Sequence, residues 1–209
     1  MIITALLTLI FLILAFIAFY FLWFLRNPKR NPPKKNVIVS PANGKIHKIM
    51  YSDDRSIKIQ KGLLGKIKAF IGDVSEKCAI ISITMTPLNV HYQRAPLDGK
   101  IVKIRYQKGK FLNAVHNSND MQATFENENN QILIKTEIGN IKVIQIAGFI
   151  ARRIISIAKK NQYIKKGQTI GLIKLGSQVT IILPKDKIRV TAKEGQTVID
   201  GETVLAEIR

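Results

Sequence analysis

The chain has 209 residues, 46% of them apolar, enough for one buried core with an appendage and too few for several independent domains. Its 33 basic and 14 acidic residues give a formal charge of +19, which calls for an anionic partner, and its single cysteine, Cys78, excludes an intrachain disulfide or a cysteine-built metal cluster. Aromatic residues are few beyond the N-terminal segment, and no basic recognition helix, zinc-finger spacing or RNA-binding signature is present, so nucleic acid is set aside as that partner.

Residues 2–25 carry no charge, no Gly and no Pro. At ~1.5 Å per residue a helix there reaches about 36 Å, enough to cross a hydrocarbon core of roughly 30 Å with some tilt. A cleaved signal peptide fits poorly, because no basic segment precedes the run, the run is too long, and no small-x-small site follows it. Tyr20 and Trp23 stand at its downstream end, where amphipathic rings favour the interface, and Arg26, Lys29, Arg30, Lys34 and Lys35 follow at once. Basic flanks stay in the cytoplasm, so the expected arrangement is a single-pass anchor in the cell membrane, residues 1–26, with the body on the cytoplasmic side. Every charged side chain lies beyond residues 2–25, and a tethered body facing an anionic phospholipid leaflet is the partner this predicts, each basic group near the surface being worth ~1 kcal/mol.

Residues 27–36 form a basic, Pro-rich linker, and the body occupies 37–209. Short strands are predicted over 37–39, 45–50, 56–60, 79–85, 100–106, 131–136, 142–146, 169–173, 179–183, 187–191 and 203–208, with Gly, Pro, Asn or Asp between them. Only 148–160 reads as helical or mixed, so the fold class is mostly β. Two repeats support that reading. Pro41-Ala42-Asn43-Gly44-Lys45-Ile46 and Pro96-Leu97-Asp98-Gly99-Lys100-Ile101 each set a turn before a half-buried strand, and Gly-[Gln/Glu]-Thr-[Ile/Val] recurs at Gly167, Gly195 and Gly201. The second pattern is similar to that of lipoyl and biotinyl carrier domains, which implies a barrel-sandwich-like arrangement; the carrier function is set aside because no lysine stands in the required hairpin.

Within the apolar stretch 171–184, the dipeptide Gly176-Ser177 interrupts a buried β-segment. Taken alone it reads as a bulge or tight bend. The three histidines divide in the same way. His91, just after a strand, is either a proton carrier or a satisfied core residue, whereas His47 on an alternating strand position and His116 in an Asn/Ser/Asp-rich loop are ordinary surface residues. Arg152 and Arg153 fit either a phosphate grip or a solvated basic face.

Five stretches in order resemble the phosphatidylserine decarboxylase family, in particular its short, single-anchor bacterial and archaeal branch, which includes archaetidylserine decarboxylase-like members. They are Phe24-Leu25-Arg26-Asn27-Pro28, Ser40-Pro41-Ala42-Asn43-Gly44, the run 82–96 containing Met85-Thr86-Pro87-Leu88-Asn89-Val90-His91, Gly109-Lys110-Phe111-Leu112-Asn113-Ala114, and Gln145-Ile146-Ala147-Gly148-Phe149-Ile150-Ala151-Arg152-Arg153. They end on Leu175-Gly176-Ser177.

The resemblance implies a proenzyme that cuts itself between Gly176 and Ser177 into chains 1–176 and 177–209. Ser177 Oγ would attack the Gly176 carbonyl, the ester would undergo β-elimination, and hydrolysis would leave a pyruvoyl group from Ser177 as covalent cofactor and electron sink. The product enzyme would convert phosphatidylserine, or an ether-lipid analogue, to phosphatidylethanolamine and CO2, with His91 in the proton work and no metal. Arg152 and Arg153 would face the substrate phosphate, and a homo-oligomer is a further expectation. Arg94 stands where the longer branch carries a second histidine used in maturation. The departure is Asn43, where the family has Asp acting with His on the serine, and an amide cannot take a proton or hold a positive charge. Three outcomes are open at this point: slow cleavage, substitution by another carboxylate such as Asp98, or an uncleaved, non-catalytic, membrane-tethered lipid-binding relative.

Overall fold

The computed structural model describes residues 1–52, 71–109, 127–148, 153–174 and 177–209. Its first element, α1 (Ile2–Ala18), continues into a π-helical turn, Phe19–Phe24, giving one apolar rod over Ile2–Phe24. With a mean hydropathy of 3.0 and its hydrophobic window wholly unburied by the body, the rod is long and apolar enough to cross a membrane. It stops where Leu25 leaves the helical region and the Asn27-Pro28 step bars continuation.

Nearly all other regular structure among the described residues is antiparallel strand. The main sheet has eight strands, in the order β13 (Thr197–Val198), β2 (Gly44–Tyr51), β3 (Cys78–Met85), β11 (Ser177–Pro184), β7 (Gly139–Ala147), β6 (Asn129–Thr136), β5 (Gly99–Gln107) and β9 (Tyr163–Ile164). Two three-stranded sheets accompany it: β1 (Val37–Val39), β14 (Val204–Ile208) and β12 (Ile188–Val190), and β4 (Tyr92–Arg94), β10 (Thr169–Lys174) and β8 (Arg153–Ser156). The central strands β3, β7 and β11 are covered on both faces, and their apolar side chains divide between two clusters. Val179, Ile181 and Leu183 join Ile81, Ile83 and Val143 in the large core, whereas Ile182 joins Ile80, Ile144, Ile146 and Cys78 in a second cluster. Each fully buried isoleucine of this kind is worth ~1.5–3 kcal/mol.

The repeated turns are one sign of a larger internal symmetry. β2 and β5 both begin at a glycine packed against a neighbouring backbone carbonyl, of Thr84 for Gly44 and of Lys135 for Gly99, and both carry a bulge two residues later, at Ile46/Lys48 and Ile101/Lys103. Ile46 exchanges main-chain bonds with Gly195 and Gln196, and Ile101 does the same with Asn161 and Gln162. Gly195 and Asn161 both have positive φ, 82° and 69°, which only Gly and a few polar residues adopt readily. Across the middle, Val39 N donates to Pro96 O and Arg94 N donates to Pro41 O, a reciprocal pair. One half therefore comprises β1–β3 and β11–β14, and the other, β4–β10, is inserted within it. The chain crosses between halves twice, once after β3 and once between β10 and β11.

The mostly-β expectation with one N-terminal helix agrees with this architecture. The helical or mixed reading of 148–160 does not: Arg153–Ser156 is β8, whose consecutive β-branched Ile154 and Ile155 pair with Ile173 and Leu172 of β10. Residues 149–152 and the strand expected over 56–60 lie outside the described residues. β4, β9 and β13, only two or three residues each, carry too little periodicity to be read from sequence.

Candidate active site

The two crossings between halves bring the candidate residues together. The first crossing is the loop from Thr86 to His91, and Asn89 closes it: its Oδ1 accepts from Thr86 N at 2.8 Å and Thr86 Oγ1 at 2.9 Å, and its own N–H donates to Thr86 O at 3.0 Å. Asn89 Nδ2 then donates to Asn43 Oδ1 at 2.8 Å, and Val90 N donates to the same oxygen at 3.4 Å. Asn43 thus pins the loop that carries His91 and reaches the imidazole only through Asn89.

His91 is completely buried. Its Nδ1 lies 2.8 Å from the Asn89 carbonyl oxygen, and because a carbonyl only accepts, the ring proton sits on Nδ1 and Nε2 presents its lone pair. That Nε2 is buried with no hydrogen-bond partner among the described residues. Burial pushes the imidazole down to about 4, against the upward pull of the Asn89 carbonyl, and the Arg26 guanidinium adds a further push downward. At neutral pH the site holds an unprotonated base. One wall is Phe24, the last residue of the apolar rod, itself completely buried, its ring tilted by 35° with its centroid 4.1 Å from that of His91.

The second crossing contains the Gly-Ser junction. Leu175 and Gly176 lie outside the described residues, and of Ser177 the backbone alone is described, as the first residue of β11, in register with Met85 on one side and Ala147 on the other. β10, which ends at Lys174, is tied to the first crossing by Ile173 N donating to His91 O at 3.2 Å. Gln93 Nε2 donates to the same His91 oxygen at 2.7 Å, Gln145 donates to Gln93, and Asn130 donates to Gln145, a buried amide chain from the histidine to β6 and β7. A side chain at Gly171 of β10 would overlap the Gln145 amide, so the strand leading to the junction can lie this close only as glycine.

The other expected site residues divide. Arg153 is exposed on β8 and in register with Lys174, beside the end of β10, while Arg152 and His116 lie outside the described residues. His47 is half-buried within the β2 bulge, where strict alternation had predicted exposure. Asp98 is no substitute for a carboxylate at 43: its side chain is 63% exposed, accepts from Lys166 N at 2.6 Å and faces Lys165, in the turn of the other half. Cys78 is buried, and desolvation raises its thiol to about 11, so it is packing and not a nucleophile. No cluster of metal-ligating side chains occurs among the described residues.

Sequence reasoning missed the clasp beside the site. Arg94 makes five hydrogen bonds, to Asp200, Gly167 O, Thr169, Asn27 Oδ1 and Pro28 O, and Asp200 also pairs with Arg30 at 2.6 Å. Asp200 is fully buried, so the two guanidinium groups are what make its charge tolerable there. Arg26 adds bonds to Trp23 O at 2.8 Å and Leu88 O at 2.7 Å. Together these arginines strap the linker to the body and hold Phe24 on His91. The signal available in sequence was Arg94, the one Lys or Arg in the run 82–96, which holds no Asp or Glu.

In fold and site this is a β protein with one apolar helix, whose buried imidazole is held as a free base beside a strand-to-strand junction. The phosphatidylserine decarboxylase family model matches residues 17–206. A phosphatidylserine decarboxylase proenzyme of Syntrophus aciditrophicus is 39% identical over 186 residues, 88% of this chain and 77% of the relative. One from Wolbachia pipientis is 40% identical over 188 residues, 89% and 74% of the two chains, and a proenzyme of Methanothermobacter thermautotrophicus named for archaetidylserine is 37% identical over 199 residues, 95% and 83%. The chain belongs to the phosphatidylserine decarboxylase family, and it is an enzyme of that decarboxylase class.

Proposed function

We propose that the chain is a proenzyme that cuts itself between Gly176 and Ser177 and then decarboxylates a serine phospholipid at the cytoplasmic face of the membrane. The observation that carries this reading is the buried Nε2 of His91, a residue whose main-chain oxygen accepts from Ile173 N on the strand that leads into the Gly-Ser junction. A base that stays deprotonated at neutral pH can accept a proton without first losing one.

In maturation, Ser177 Oγ attacks the Gly176 carbonyl carbon, the C–N bond breaks, and the acyl group moves to oxygen. His91 then takes the Ser177 Cα proton, which expels the Gly176 carboxylate from Cβ; water displaces ammonia from the remaining group. A pyruvoyl group at residue 177 supplies an electron sink for the pair left by departing CO2. The fit is favourable: a lone acceptor atom waits in a dry pocket, and a glycine precedes the serine. In turnover His91 takes the proton that the substrate ammonium loses as its amine adds to the ketone, and returns it to the carbon that lost CO2. Arg153, beside the end of β10, and Arg152, outside the described residues, are the candidates for the phosphate. Acyl and ether lipids share that head group, so both fit.

Asn43 favours a second reading, the uncleaved lipid-binding relative. An amide oxygen fills the acceptor role toward Asn89 and Val90 as a carboxylate would, yet it cannot stabilise a charged His91. Denaturing electrophoresis of the purified protein separates the two readings. Two chains in the wild type and one in Ser177→Ala, with activity lost in the variant, are expected; a single full-length chain in wild type and in Asn43→Asp would leave the binding relative.

A further inference from the structure

His91 has no exposed surface, so no substrate meets Nε2 unless a wall of its pocket moves. Most of those walls are fixed. The Asn89 loop is closed by its own bonds and by Asn43, Gln93 is held in the amide chain, and β10 is main-chain bonded. Phe24 differs: its ring has no hydrogen bond to anchor it and packs tilted by 35° on His91 at 4.1 Å and stacked on Tyr20 at 5.5 Å between centroids. Around it the backbone is immobilised by Arg26 on Leu88 O, by Arg94 on Asn27 and Pro28, and by Arg30 on Asp200. The frame is rigid and one ring in it is free of hydrogen bonds.

Phe24 also stands at the boundary between the apolar rod and the body. Phe21, Leu22 and Trp23 beside it are exposed, as is Leu88 at 63% on the loop to which Arg26 is bonded, so an apolar rim surrounds the one ring that separates bilayer depth from the buried base. The turn is π-helical, an irregularity that widens the helix and recurs at functional positions.

We propose that Phe24 gates access from the bilayer to His91: a lipid whose head group carries a primary amine and a carboxylate reaches Nε2 when the Phe24 ring swings off it, while the arginine-strapped linker stays in place. This rests on the decarboxylase reading for the identity of the lipid, but the gate itself is testable without turnover. Phe24 is a positioning residue here. It controls the fraction of molecules in which the base is reachable, and apparent affinity scales with that fraction.

The test uses the full-length protein in vesicles of phosphatidylserine and phosphatidylcholine, with diethyl pyrocarbonate as the probe of His91 and peptide mass spectrometry as the readout, His47 serving as internal reference. Phe24→Ala should raise the rate of His91 carbethoxylation about tenfold or more, Phe24→Leu by less, and Phe24→Trp should lower it, as expected when the open state passes from minor to dominant. In protein that has cleaved, the same order should appear in KM for the lipid, lowest in Phe24→Ala, with kcat changing less. Equal labelling rates in wild type, Phe24→Ala and Phe24→Leu would overturn the gate, and so would an effect confined to kcat. Absence of cleavage in the wild type, with labelling still ordered by residue 24, would overturn the decarboxylase reading and leave the gate standing.

Discussion

Pro41-Ala42-Asn43-Gly44 and Pro96-Leu97-Asp98-Gly99 occupy equivalent turns in the two halves of the body, each followed by a strand with the same bulge, yet their third residues do different work. Asn43 is half-buried and holds the loop that carries His91. Asp98 is mostly exposed and accepts from the backbone of Lys166. The difference lies in what stands above each turn. Over the first come a chain crossing, a buried imidazole and the end of the apolar rod; beside the second lies a solvent-open cleft lined by Pro32, Pro33, Lys34, Lys35 and Lys100. A duplicated backbone therefore supplies two similar frames, and chemistry can develop only where burial removes water from one of them.

The largest expected contrast is between histidines. His91→Ala should lower decarboxylation by roughly 10²–10⁴-fold, the usual worth of a general acid or base, whereas His47→Ala in the β2 bulge should leave kcat/KM within about threefold. Similar losses at the two positions would mean that His91 has no special role. Next in size is the arginine clasp on the buried Asp200, set against the exposed Asp98. Asp200→Ala leaves Arg94 and Arg30 without their buried counter-charge and should cost ~3–5 kcal/mol in denaturant unfolding, against less than ~1 kcal/mol for Asp98→Ala, whose carboxylate is largely in water.

Acid should expose the same asymmetry. The folded-state pKa of His91, about 4, lies below its ordinary value of 6.5, so the unfolded chain binds the proton more tightly. Its contribution is intact above pH ~6.5 and is lost as pH falls toward ~4, for a total on the order of 3 kcal/mol. His91→Gln should flatten that part of the stability curve, and His47→Gln should not. The activity profile should likewise keep its acid limb near 4 in place of the 6–7 of an ordinary histidine, and a limb at 6–7 would show that Nε2 is solvated in the working enzyme. The smallest effect belongs to the reciprocal exchange of the two turns. Asn43→Asp should speed self-cleavage roughly tenfold by stabilising a charged His91 through the Asn89 loop, and Asp98→Asn should leave the cleavage rate unchanged.

Much of the frame was legible in the sequence because it is local. Alternation gave β2 and β5, apolar runs gave β3, β7 and β11, and the Asn-Gly and Asp-Gly turns stood out as a repeat, though not as two halves of one body. The Gly-Ser junction and His91 stood out only by resemblance, since spacing alone leaves a strand glycine and a core histidine equally acceptable. What escaped was tertiary. That Phe24 would leave the anchor to cover His91, that Arg94 would turn inward to Asp200, or that Asn43 would touch Asn89 and not the imidazole depends on residues 46 to 106 positions apart, and no periodicity encodes such contacts. The short strand β8 was missed for a smaller reason, because two arginines and an alanine beside Ile154 and Ile155 blur helical and strand patterns alike.

The central claim is that the second chain crossing is where the protein cuts and converts itself, and the mass of the C-terminal fragment tests it most directly. Protein purified from membranes, denatured and analysed intact, should release residues 177–209 as a separate chain lighter by one ammonia than the peptide that starts with Ser177, and its N-terminus should react with a hydrazide as a ketone does. A fragment of the full serine mass with a free amine would show cutting without conversion. A single uncut chain of 209 residues, unchanged on prolonged incubation, would contradict the claim outright.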